Sequence, residues 1–216
     1  PRAFVAQMEP GNWYDPLLLQ VLPRAVENSA GGGYIDPIGE HHLAEDGLIQ
    51  PYFEKLGIPY TCCNAKVSAI TFDKYACNNK LKQLGFNCAQ SYIHHKKEII
   101  RPNLIIDIVK LPCFVKPNKS GSSYGISKIY QEIELEDAIN NALIYDEEVL
   151  IEEFINGIEI SCGVFCKGND IITLPITEIE TNNDFFDYSA KYEGQSKEIT
   201  PARISKKLTS KVKEIS

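Results

Sequence analysis

Three short stretches hold the side chains whose types and spacing could do chemistry. In K-P-N-K-S-G-S-S-Y-G, residues 116–125, a lysine at the end of an apolar run leads into a turn of small residues. Small residues let backbone N–H groups approach phosphate oxygens closely, and a lysine at a strand end supplies a fixed positive charge. A surface turn after an edge strand has the same letters. In V-L-I-E-E-F-I-N-G-I-E-I, residues 149–160, Glu152 and Glu153 interrupt an apolar run, and Glu159 lies between Ile158 and Ile160. Carboxylates at the edge of an apolar slot suit an adenine amino group or ribose hydroxyls; charged residues on the solvent face of a strand also account for the pattern. The third stretch is D-Y-S-A-K-Y, residues 187–192, with Lys191 and Tyr192 inside a long polar loop. Long loops carrying such residues often cover a site, and otherwise are simply solvated. The adjacent pairs His41-His42 and His94-His95 point to different sides of most backbones, so no metal is assigned to them.

The elements that must position these residues are legible in part. Leu48, Ile49, Tyr52, Phe53 and Leu56 lie at helical spacing, with Gly57 as the stop. Residues 58–61 read as a short strand, and residues 72–84 as a second helix closed by Gly85. The run L-P-C-F-V-K-P reads as a strand whose proline stops pairing. Leu135, Ala138, Ile139, Ala142 and Leu143 mark the clearest amphipathic helix. Strand candidates V-L-I-E-E-F-I, I-E-I-S-C-G-V-F-C and D-I-I-T-L-P-I-T-E-I follow, with a hairpin turn at residues 167–170. A short strand and a helical K-K-L-T-S-K-V-K-E-I-S close the chain. In the first forty or so residues, an apolar stretch at 3–8 and a helix start at Asp15-Pro16 are weaker signals. The glycine run at 31–33 reads as a plain loop, because no Lys-Ser or Lys-Thr follows it. Mixed strands and helices with a hairpin indicate an α/β or α+β chain.

At 216 residues the chain has room for one large domain or two modest ones. A net charge of -7 argues against bare nucleic acid or an anionic membrane surface as the main partner. No run approaches the roughly 20 apolar residues that span a bilayer, and the start lacks a secretory leader pattern. Seven cysteines, an odd number without a C-x-x-C, read as reduced, buried thiols of a cytosolic protein.

The three stretches occur together and in order, and their joint occurrence resembles the D-alanine–D-alanine ligases of the ATP-grasp superfamily. The matching segments are A-E-D-G-L-I-Q-P-Y-F-E-K-L-G-I-P-Y-T, S-A-I-T-F-D-K, L-P-C-F-V-K-P-N-K-S-G-S-S-Y-G-I-S-K, V-L-I-E-E-F-I-N-G-I-E-I and F-F-D-Y-S-A-K-Y with I-T-P-A-R-I-S behind it. The resemblance implies an ATP-grasp fold, with a reduced Rossmann-like portion over residues 1–61 and an ATP-grasp domain over 62–216. It implies that Lys74 and Lys116 contact the ATP phosphates, that Glu152 and the backbone near Ile155 hold adenine with Glu153 also at the nucleotide, and that Glu159 takes the ribose. Gly121, Ser122 and Ser123 resemble the turn over the γ-phosphate, with Ser122 as the catalytic serine and Ser123 beside the nucleotide. Lys191 and Tyr192 resemble the residues of the covering loop, the lysine neutralising the transferring phosphate and the tyrosine bonding the serine.

The same resemblance implies the joining of two D-alanines through an acyl phosphate, for bacterial cell-wall peptidoglycan precursors. ATP and Mg²⁺ or Mn²⁺ are the implied cofactors, the bacterial cytoplasm the location and a homodimer the assembly. The family's Asp, Glu and Asn metal ligands follow the P-A-R-I-S strand and its helix, so none is expected before Ser216. A non-catalytic nucleotide-binding fragment and a ligase of D-lactate or D-serine are the alternatives.

Overall fold

The computed structural model describes residues 45–60, 63–121, 123–167, 170–181 and 196–216. They divide into two compact units, with the boundary between Cys88 and Ala89.

The first unit contains three helices, α1 (Gln50–Leu56), α2 (Ala65–Phe72) and α3 (Lys74–Gln83), among its described residues. Pro51 opens α1, where its missing N–H costs nothing, and Gly57 closes it in the left-handed region at φ +67°. The expected strand at 58–61 does not form over residues 58–60. Instead the Ile58 N–H donates to the Phe53 carbonyl, and the Tyr60 hydroxyl donates to Glu54 Oε1 at 2.6 Å, folding the segment back on α1. The helix expected over 72–84 is α3, and α2 precedes it where no helix was expected. Asn64 caps α2 by accepting from the Val67 N–H, and Asp73 breaks the run in extended backbone and caps α3 through the Ala76 N–H. A buried hydrogen bond from Gln50 Nε2 to Ser68 Oγ joins α1 to α2. The unit boundary falls after these helices, and the domain boundary implied by the resemblance, 61/62, lies between α1 and α2.

The second unit carries two antiparallel sheets. Strands β1 (Ser91–His95), β2 (Cys113–Pro117), β3 (Ser127–Ile129) and β4 (Glu148–Glu153) form one, in the order β1-β4-β2-β3. Helices α4 (Pro102–Val109) and α5 (Leu135–Ala142) pack on one of its faces. Ile105 and Val109 from α4, Leu135, Ala138, Ile139 and Ala142 from α5, and Cys113, Val115, Val149 and Ile151 from the strands make the core. The helical periodicity read at 135–142 is this buried stripe. Strand β2 lies inside the sheet, but β3 pairs only with residues 113–115, so Lys116 and Pro117 project beyond it on that side.

Strands β5 (Glu159–Lys167), β6 (Asp170–Thr181) and β7 (Ser196–Ile199) form the second sheet, with Lys167 opposite Asp170 as the hairpin signal predicted. The register shifts between Cys162 and Val164. Helix α6 (Lys206–Ile215) follows, capped by Ser205, whose hydroxyl accepts from the Leu208 N–H.

Candidate functional site

Strand alternation places two sets of residues on opposite faces of the first sheet. Cys113, Val115 and Pro117 of β2 are buried, and the first two join the core on the helix side. Phe114 and Lys116 consequently lie on the other face. Across that face, Lys128 pairs with Phe114, Phe114 with Glu152, and Glu152 with Ser91, making one row over all four strands. The next row is Lys116, Leu150 and Ile93. Lys116 and Glu152 are thus diagonal neighbours, close enough for long side chains to meet.

They do meet: Lys116 Nζ donates to Glu152 Oε1, and each side chain is only 16% exposed. The structure therefore joins the lysine expected at the phosphates to a carboxylate expected at the base. Glu153, one residue on, falls on the opposite parity, and its Oε1 accepts from the Gln90 N–H at 3.0 Å while its own N–H donates to the Gln90 carbonyl. This pair of bonds fixes the entry to β1.

Residues 154–158 connect β4 of the first sheet to β5 of the second. Ile155 and Ile158 are 64% and 60% exposed. Phe154 is held differently: its ring lies 6.0 Å from Phe114, and the Lys128 ammonium sits 4.0 Å from its centroid. Lys128 also lies 5.2 Å from the Tyr130 ring. An ammonium over aromatic faces is attracted by their quadrupoles, so Lys128 braces both the open face and the connector. Sequence reasoning missed Lys128. Its signal is the alternation in S-K-I-Y, where Lys128 and Tyr130 share the parity opposite to buried Ile129.

Glu159 begins β5 opposite Ile179 and is half-buried. The other face of that sheet carries Glu178, whose carboxylate accepts from Arg203 Nε, from an Arg203 terminal nitrogen at 2.6 Å and from the Arg203 N–H. The guanidinium side-chain bonds, then the backbone bond, hold the Glu178 carboxyl below its ordinary value.

The turn after β2 leaves the sheet at Asn118, 1% exposed, and Ser123 within it has φ +62°. Lys74 is the first residue of α3 in the other unit, half-buried and just behind the Asp73 cap. Ser122, Lys191 and Tyr192, like His41 and His42, lie outside the described residues. His94 and His95 do point apart, the first 1% exposed on the helix side and the second 49% exposed. Among the described residues no group of three or more His, Cys, Asp or Glu is placed to hold a metal ion, and no helix is long and apolar enough to cross a membrane.

This arrangement offers a half-buried lysine, a carboxylate and an aromatic shelf on one sheet face, next to a small-residue turn and an exposed apolar connector. A planar base with a phosphate chain matches that sequence of surfaces. The family model described as "D-ala D-ala ligase C-terminus" matches residues 81–216. The D-alanine–D-alanine ligase of Flavobacterium johnsoniae is 53% identical over 170 residues, 79% of this chain and 53% of that protein. The Bacteroides fragilis protein of that name is 42% identical over 171 residues, with the same coverage of 79% and 53%. The chain thus spans about half the length of the curated relatives it matches. Among solved structures, the VanG D-Ala:D-Ser ligase from Enterococcus faecalis superposes with a TM-score of 0.67 at 34% identity, covering 79% of this chain and 50% of that one. The Bacillus anthracis D-alanine–D-alanine ligase complexed with ATP gives 0.65 at 28% identity, covering 79% and 53%. The mixed fold with two antiparallel sheets is the ATP-grasp fold of these ligases. The chain belongs to the D-alanine–D-alanine ligase family, through that family's carboxy-terminal domain.

Proposed function

We propose that this chain forms the nucleotide-gripping part of an ATP-dependent ligase that joins two D-alanines for peptidoglycan precursors. The observation that carries this reading is the Lys116–Glu152 pair on the sheet face away from the two helices, beside the small-residue turn, in a chain of this family. A relative whose solved structure holds ATP supports it.

The assigned roles follow residue by residue. Lys74, Lys116 and Lys191 neutralise the phosphates, and Ser122 and Ser123 hold the turn against them. Glu152 and the backbone at Ile155 take adenine, with Glu153 beside them at the edge of the nucleotide site, and Glu159 takes the ribose hydroxyls. Tyr192 orients Ser122. A carboxylate oxygen of the first D-alanine attacks the γ-phosphorus, and ADP leaves. The amine of the second D-alanine then attacks the acyl carbon and displaces inorganic phosphate, giving the dipeptide. The protein's share is positioning and charge neutralisation. Mg²⁺ or Mn²⁺ bound with the nucleotide adds positive charge at the phosphates; the described residues supply no cluster for it, and none is assigned as its ligand. The bacterial cytoplasm is the proposed location, and a homodimer the proposed assembly.

Lys116→Ala is expected to abolish ATP binding in titration calorimetry, and unchanged affinity would show that the phosphate assignment is wrong. Product analysis with D-alanine alone, and in competition with D-serine or D-lactate, is expected to give D-alanyl-D-alanine as the main product.

A further inference from the structure

The small-residue turn is held from outside, at both of its stems, by the segment that follows α5. On the entering stem, the Asn118 N–H donates to the Glu148 carbonyl at 2.8 Å and Asn118 Nδ2 to Glu148 Oε2 at 3.0 Å. The Lys119 N–H donates to Asp146 Oδ2, and Lys119 Nζ to Glu148 Oε2 at 2.8 Å. On the leaving stem, the Tyr124 ring stacks on the Tyr145 ring, 6.2 Å between centroids and 21° between planes. Gly125, at φ +65°, lies so close that a Cβ there would meet Tyr145 Cδ2 at 2.5 Å and Pro117 Cγ at 3.0 Å. The glycine is therefore required both by its backbone conformation and by the ring above it.

We propose that Tyr145 is a positioning residue for phosphoryl transfer. Its ring fixes Tyr124 and Gly125, and so sets where the turn between the two stems presents its groups. The inference rests on the nucleotide reading above. Misplacing a catalytic group by about 1 Å costs on the order of 100-fold in rate, so loosening one stem is expected to act on turnover more than on binding.

The experiment uses the complete gene product and measures ATP affinity, kcat for D-alanine-dependent phosphate release and melting temperature. Tyr145→Ala and Tyr124→Ala, which remove the stack from its two sides, are each expected to lower kcat by about tenfold or more while ATP affinity stays within about threefold. Tyr145→Phe, which keeps the ring, is expected to restore kcat. Both alanine variants turning over within about twofold of the unaltered protein would overturn the proposal, as would parallel loss of affinity and kcat in both. Lys116→Ala, measured alongside, separates the two levels: if it retains ATP affinity the nucleotide reading fails, and if only the tyrosine variants behave normally the positioning role alone fails.

Discussion

His94 shows what a single letter does when a strand carries it inward. Its side chain is 1% exposed, and Nδ1 has no hydrogen-bond partner among the described residues, with Glu98 no closer than 4.0 Å. Burial lowers its pKa, and the Glu98 carboxylate opposes that shift only in part. The fold therefore favours the neutral ring, and the unfolded chain binds the proton more readily. The stability this contributes is present above the ordinary histidine value, about 6.5, and is lost as pH falls below it. The melting temperature is expected to drop between about pH 7 and about pH 5, with a shallower slope in His94→Gln. Equal slopes in the two proteins would place the acid sensitivity elsewhere. Glu178, held by Arg203, carries the opposite charge to a protonated histidine but gives the same direction in pH. Because Glu178 is held ionised, the pair's contribution is present above the ordinary carboxylate value and lost as pH falls through the depressed one.

At the scale of elements, legibility followed local signals. The stripe of α5 could be read because its buried residues are apolar at helical spacing. Helix α2 has no such stripe: Ser68 is its buried residue, and Asp73, which ends it, caps the helix behind it. Asn64→Ala and Asp73→Ala are each expected to cost about 1 kcal/mol in chemical denaturation. A loss in neither would mean that the caps are redundant with packing. Strands β1 and β3 escaped reading for another reason. S-Y-I-H-H and S-K-I are short and polar, and they extend because β4 and β2 offer them partners. Lys116 and Glu152 were recognised singly; their meeting depends on the β2–β4 register, and the Tyr124–Tyr145 stack on a loop reaching back to a helix end. Neither register nor return is written in local spacing.

Across the second unit, the described burial is uneven. Nearly all fully buried apolar residues belong to the first sheet and its two helices, whereas the second sheet contributes Ile176 and the carboxylate of Glu178. Local opening costs least where few apolar contacts are lost. Amides of β2 and β4 are expected to exchange with deuterium more slowly than those of β5 and β6. The reverse order would show that the second sheet draws its stability from beyond its own described residues. The proposed grip thus combines a firm jaw carrying Lys116 and Glu152 with a softer one carrying Glu159.

Cys113 gives the firm jaw a chemical reporter. Its thiol is 0% exposed within the core, and burial pushes its pKa up to about 11. The thiolate is the form that attacks alkylating reagents, so at neutral pH this cysteine is protected twice, by lack of access and by lack of charge. Cys63 in the other unit is exposed, against the expectation of buried thiols. Mass spectrometry after timed alkylation can therefore read the first sheet's opening as the delay between modification at Cys63 and modification at Cys113.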